Sequence, residues 1–171
     1  GGRHAAAGVF DDERGADLVT GVHDDLREHR AILVGDLLDV ACGSGQFPAA
    51  LLKFGGLKMS QDLSVQYSLL DPSDFSIRTA RKQLAAPFEP SEEHLCTIQE
   101  FKPPTSRYAV VWATHAMYCV PQCELEVAVD RMLAALETRG LGFIAHASEH
   151  SHYVRFHDLY LQGVRGEHAE P

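Results

Sequence analysis

The chain has 171 residues, 45% of them hydrophobic, which is enough for one globular core and too little for two domains of ordinary size. Its 15 Lys and Arg against 24 Asp and Glu give a net charge of -9, which repels a phosphate backbone and argues against a nucleic-acid partner. No uncharged run approaches a membrane span, the first residues lack the apolar stretch of a signal peptide, and Cys42, Cys96, Cys119 and Cys123 form no dense disulfide framework. A cytoplasmic protein with free thiols and no membrane contact is expected.

Residues 1–30 are polar, with Leu18, Val19, Val22 and Leu26 at helical spacing, and predict a loose start followed by one amphipathic helix. The core is expected over 31–171. Four short apolar runs lie within it, Leu37–Ala41, Val65–Leu70, Tyr108–Ala113 and Leu141–Ala145, with a weaker one at His94–Ile98. The four strong runs hold one charge, Asp39, and do not alternate strictly, as expected of parallel strands covered on both faces.

Helical patterns separate these runs. Ala49, Leu51 and Leu52 predict a short helix, and Asp71-Pro72-Ser73-Asp74 supplies a turn and cap before Ile77, Ala80 and Leu84. Pro121 stands at a first helical position ahead of an apolar stripe (Leu125, Val129, Met132, Leu133, Leu136) that Arg139-Gly140 closes. A further helix is expected from about His150. The resulting order predicts an α/β fold with a doubly wound, mostly parallel sheet.

The segment Leu37-Leu38-Asp39-Val40-Ala41-Cys42-Gly43-Ser44-Gly45-Gln46-Phe47-Pro48 runs from a buried strand through a glycine turn into a helix. Gly43 and Gly45 let the backbone approach a ligand, and the helix start offers free N–H groups. A dinucleotide fingerprint would place a third glycine where Pro48 stands. The second strand ends in Asp71, about where such folds put an acid for a ribose diol. Singly, each feature is more often a tight turn or a helix cap; on consecutive strand ends they predict a ligand site.

At these residues the sequence resembles the class I S-adenosylmethionine-dependent methyltransferases, Leu37 to Gly45 resembling their first motif and Leu70-Asp71 their ribose-binding acid. The likeness runs from about residue 31 to 162. Asp71-Pro72-Ser73 and Ala113-Thr114-His115-Ala116-Met117-Tyr118-Cys119-Val120 most resemble the histamine N-methyltransferase-like branch. The resemblance implies a Rossmann-like core with S-adenosylmethionine as cofactor, S-adenosylhomocysteine as product, and a small-molecule acceptor methylated on nitrogen or oxygen. It implies cofactor contacts at Asp39, Ala41, Gly43, Ser44, Gly45, Gln46, Asp71, Pro72, Ser73 and Ser76. Gln99 and Glu100 would lie beside the adenine, Thr114 and His115 near the cofactor, and Tyr118 and Cys119 on the acceptor side. That branch commonly has glutamate where Asp71 stands, a longer acid of equal hydrogen-bonding capacity.

His115 either takes a proton or orients the acceptor, or else simply bonds backbone as a strand-end histidine. Tyr118 either stacks on an acceptor or packs beneath the next helix. Cys119, Cys123, His146, His150, His152 and His157 fit no standard ligand spacing, and no metal is expected. Two other readings compete: a nicotinamide-dependent oxidoreductase, against which Pro48 counts, and a non-catalytic methyltransferase-like module. No apolar runs remain after the last helix for the two strands that usually close this fold. The core is expected to be incomplete, a fragment, a processed product or one part of a larger chain, with its fifth strand a bare edge.

Overall fold

The computed structural model describes residues 4–10, 35–54, 64–104, 107–148 and 151–165. Six strands, β1 (His4–Phe10), β2 (Asp36–Val40), β3 (Val65–Leu70), β4 (Phe88–His94), β5 (Tyr108–Thr114) and β6 (Leu136–Ala147), form one sheet in the order β1-β6-β5-β2-β3-β4. Every pairing is parallel. The helices are α1 (Gln46–Phe54), α2 (Asp74–Gln83), α3 (Leu125–Ala135) and α4 (His152–Tyr160). From β2 the chain winds outward through β3 to β4, then returns to the other side of β2 as β5. The switch point therefore lies between β2 and β5, where such sheets bind ligands.

Register explains the two-sided burial. Leu37 stands opposite Tyr67 and Val110, and Val40 opposite Leu70 and Ala113. Successive side chains point to opposite faces. Leu38, Val40, Leu70, Val111 and Ala113 pack with Ala128, Met132 and Ala135 of α3. Leu37, Tyr67, Leu69, Val110 and Trp112 pack on the other face with Leu51 of α1 and Ile77 and Ala80 of α2. Each fully buried leucine here contributes about 1.5–3 kcal/mol. Among the described residues no helix is long and apolar enough to cross a membrane.

Four expectations are corrected. The weak third strand is Phe88–His94, not His94–Ile98. It is an edge strand with the sequence FEPSEEH, whose proline and charges suit an unpaired side and mask the apolar signal. The helix after Pro121 begins with a 3-10 turn at Gln122–Glu124 and ends at Ala135; Leu136, the last residue of its stripe, already belongs to β6. Residues 4–10 are not a loose start but β1, and they pair with Leu141–Ala147, so the fifth strand of the core is not a bare edge. The helix predicted around Leu18–Leu26 lies outside the described residues.

One charge sits inside this core. Asp39 is 1% exposed and accepts a hydrogen bond from the Tyr67 hydroxyl at 2.6 Å. Burial pushes its carboxyl up to about 7; the Tyr67 hydroxyl and the Trp112 indole pull the other way, although Trp112 Nε1 itself reaches no partner in hydrogen-bond geometry. Between the ordinary carboxylate range and about pH 7, the folded chain holds a proton here that the unfolded chain has released. The stability tied to that proton is complete below the ordinary range and is lost as pH rises through 7. Asp39→Asn is expected to stabilise the protein at pH 8, by up to about 4 kcal/mol, with the gain shrinking towards pH 5. Urea unfolding at the two pH values measures this, and an equal effect at both would show that Asp39 is as fully ionised in the folded chain as in the unfolded one over that range.

Candidate functional site

The carboxyl end of β2 breaks sharply into the glycine turn. Ala41 has φ 53°, Gly43 φ 52° and Gly45 φ 77°, three left-handed residues within five positions. Ala41 pays for this with backbone strain of about 1–2 kcal/mol, since it carries a Cβ. The turn is tied to its surroundings by backbone bonds, with Cys42 N–H donating to Leu70 O at 3.1 Å and Gly45 N–H to Cys42 O at 3.0 Å.

The two glycines serve different ends. A Cβ on Gly43 would meet nothing within 4 Å, so this residue leaves open space at the ligand side. A Cβ on Gly45 would lie 2.8 Å from Ala80 Cα, so Gly45 is there to let the turn pack on α2. Gly45, expected along a cofactor, is buried and does not line the cleft.

Asp71 follows β3 and faces the turn. Its Oδ2 accepts from Gly43 N–H at 3.1 Å and its Oδ1 from Ser73 N–H at 2.8 Å. One N–H on each oxygen leaves acceptor capacity on both. Ser73 caps α2, its Oγ accepting from Ser76 N–H at 3.3 Å, and neither serine lines the cleft. Both serve the helix start.

Across the switch point, β5 ends at Thr114 and the chain turns at His115, φ 52°, whose N–H donates to Ala145 O at 2.8 Å. A 3-10 turn over Met117–Cys119 follows. Burial, and secondarily the neighbouring His146, lower the pKa of His115, favouring its neutral form. Burial and the nearby Asp39 and Asp71 push the Cys42 thiol upward, so it is no thiolate nucleophile at neutral pH.

Between these walls lies a cleft of about 470 Å³, within the range of small-molecule sites. Ala41, Gly43, Ser44 and Gln46 line it from the turn, Thr114, His115, Tyr118 and Cys119 from the other side, together with Asp71. A second, narrower recess of about 90 Å³ shares Ala41, Ala116 and Cys119 with it and is lined further by Pro72, Ile98, Gln99 and Val120. That recess is mostly apolar.

Most of the anticipated residues converge, and five do not: Asp39, Gly45, Ser73, Ser76 and Glu100 line neither the cleft nor the recess. Asp39 stays in the core with Tyr67. Glu100 turns back to accept from Thr97 Oγ1 at 2.9 Å, whereas its neighbour Gln99 lines the recess and donates to Glu124. Ser73 and Ser76 remain in the cap, as described. Sequence reasoning gave Ile98, Ala116 and Val120 no site role, although Ile98 ended the weak apolar run and the other two lay in the stretch that carries the family resemblance; as loop residues they have no periodicity to mark them. Among the described residues no three His, Cys, Asp or Glu side chains gather as a metal site would require.

No protein-family model matches the sequence, and no curated protein matches it. Solved structures do. DhpI in complex with SAM and HEP aligns at a TM-score of 0.54 and 17% identity, covering 92% of this chain and 64% of that one. A SAM-dependent methyltransferase from Thermotoga maritima, described as a possible histamine N-methyltransferase, aligns at 0.53 and 15% over 87% of this chain and 68% of that one. A TehB-like SAM-dependent methyltransferase from Corynebacterium glutamicum aligns at 0.52 and 16% over 71% and 60%. The fold is thus that of the class I methyltransferases, and the matched part spans from about half to about two thirds of the solved chains, 54% for a magnesium protoporphyrin IX methyltransferase from Synechocystis.

The glycine geometry predicts unequal costs. Gly45→Ala must push α2 away as well as strain φ, and is expected to lose about 2–4 kcal/mol; Gly43→Ala meets only the strain, about 1 kcal/mol. Chemical denaturation of the two variants compares them, and equal losses would contradict the packing role of Gly45.

Proposed function

On the fold shared with class I methyltransferases, we propose that this chain binds S-adenosylmethionine in the cleft and transfers its methyl group to a nitrogen or oxygen of a small molecule. The supporting observation is Asp71: at the end of β3 its carboxylate faces the open glycine turn and keeps acceptor capacity on both oxygens for a ribose diol. The residues fit the rest of such a ligand. Gly43 leaves room for its backbone-hugging part, and the apolar recess of Pro72, Ile98 and Val120 takes a flat base, with Gln99 offering the one amide of its lining.

When bound, the cofactor supplies an activated methyl group, so the protein's share is alignment more than acid–base power. Ser44 and Gln46 offer polar groups at the start of α1, beside the unpaired N–H groups of its first turn. His115, on the opposite wall, accepts the proton that the acceptor's nucleophile gives up, and Tyr118 presents an aromatic face to the acceptor.

Calorimetry with S-adenosylhomocysteine tests the site. Binding is expected for the wild type, weakened about 10- to 100-fold by Asp71→Asn, which loses charged acceptors for two hydroxyls, while NADH does not bind. A folded protein, extended to its full length if it belongs to a longer chain, that binds no S-adenosylhomocysteine would overturn the proposal.

His115 generates a second expectation. Because its pKa is lowered from the ordinary 6.5, it is neutral at pH 7, and turnover of a responding amine or phenol falls along an acid limb below that value. His115→Ala is expected to lower kcat about 100-fold and to abolish the limb, measured as a pH profile of methyl transfer. An unchanged limb would assign it to another group.

A further inference from the structure

We propose that His146 is a positioning residue of the acceptor wall: its ring holds the Tyr118 ring beside the cleft. The inference rests on the reading of the cleft as a methyl-transfer site and assigns a residue that does not itself line it.

The placement follows from the ends of β5 and β6. Thr114 pairs with Ala145, and His115 N–H then donates to Ala145 O at 2.8 Å, so the backbone of His115 is pinned next to His146. His115 holds this position with a left-handed φ of 52°, a strained geometry that the bond to β6 sustains. The Tyr118 ring stands 5.6 Å from the His146 ring, with their planes 36° apart. Tyr118 is 67% exposed, so core packing does not fix it, and the ring contact restricts where it can lie.

A positive charge on one imidazole disfavours a second on a ring beside it. The positive form of His146 acts on His115 in this sense, in addition to the effect of burial. The other titratable groups at the cleft are Asp71 and Cys42 on the glycine-turn side and Cys119 on the turn that carries Tyr118. The arrangement keeps His115 free to accept a proton while a flat acceptor lies against Tyr118. Its chemical class is an aromatic or other planar molecule whose nucleophile bears a dissociable proton.

NMR of protein carrying labelled histidine and tyrosine rings, titrated from pH 5 to 8.5, tests this without an acceptor. In His146→Gln the His115 resonance is expected to titrate at higher pH than in the wild type, and the Tyr118 ring resonance to lose the ring-current shift that the His146 ring gives it. His146→Phe, which keeps a ring but no charge, is expected to retain a ring-current shift on Tyr118 while His115 still titrates at the higher pH. An unmoved His115 midpoint in both variants, or a Tyr118 resonance identical in His146→Gln and wild type, would overturn the proposal. Affinity for S-adenosylhomocysteine, read by calorimetry on the same samples, is expected to stay within twofold in His146→Gln. Its absence from the wild type would instead overturn the reading of the cleft, and the histidine titrations would still decide the coupling.

Discussion

The Gly43 N–H bonded to the Asp71 carboxylate joins the ends of two neighbouring strands, and the cleft takes its shape from that join. Without it the turn after β2 would have three left-handed residues and few constraints. With it, one oxygen of Asp71 is fixed on the turn and the other on the start of α2, so the carboxylate sits in a defined orientation before any ligand arrives. Preorganisation of this kind spares a ligand the cost of ordering its own binding group.

Strain accumulates where the sheet reverses. Ala41 after β2 and His115 after β5 are the non-glycine residues with left-handed φ among those described, and β2 and β5 are adjacent. Each is held by bonds made beside it: Cys42 N–H to Leu70 O, and His115 N–H to Ala145 O. Such conformations cost about 1–3 kcal/mol apiece and persist where the surroundings over-determine them. Here both lie on walls of the same cleft, which turns two strand ends into facing surfaces.

Beneath the cleft, the core keeps its polar groups to a minimum. Asp39 and Tyr67 share one short bond on the face covered by α1 and α2. At the other end of the strands Arg107 donates to Asp36 at 3.2 Å and to Glu92 at 2.7 Å, linking the start of β2 to the edge strand β4. These half-exposed pairs are individually weak in water, but they span strands that share no hydrogen bonds with one another.

The alternation of apolar runs with helical stripes determined the parallel, doubly wound sheet, because strands buried on both faces must be apolar on both and cannot hide it. The same logic made the glycine turn and Asp71 legible: a backbone that needs left-handed φ selects glycine, and an acid at a strand end is a local feature of the chain. The edge strand β4 and the strand β1 were not legible, since an edge tolerates proline and charge, and β1 is made a strand by a partner more than 130 residues away. Nor did sequence separate the work of Gly43 from that of Gly45, of Gln99 from Glu100, or of Asp39 from Asp71. Those distinctions depend on which neighbour stands within a few ångströms in space, and only the packing of α2 on the turn, of Thr97 on Glu100 and of Tyr67 on Asp39 decided them.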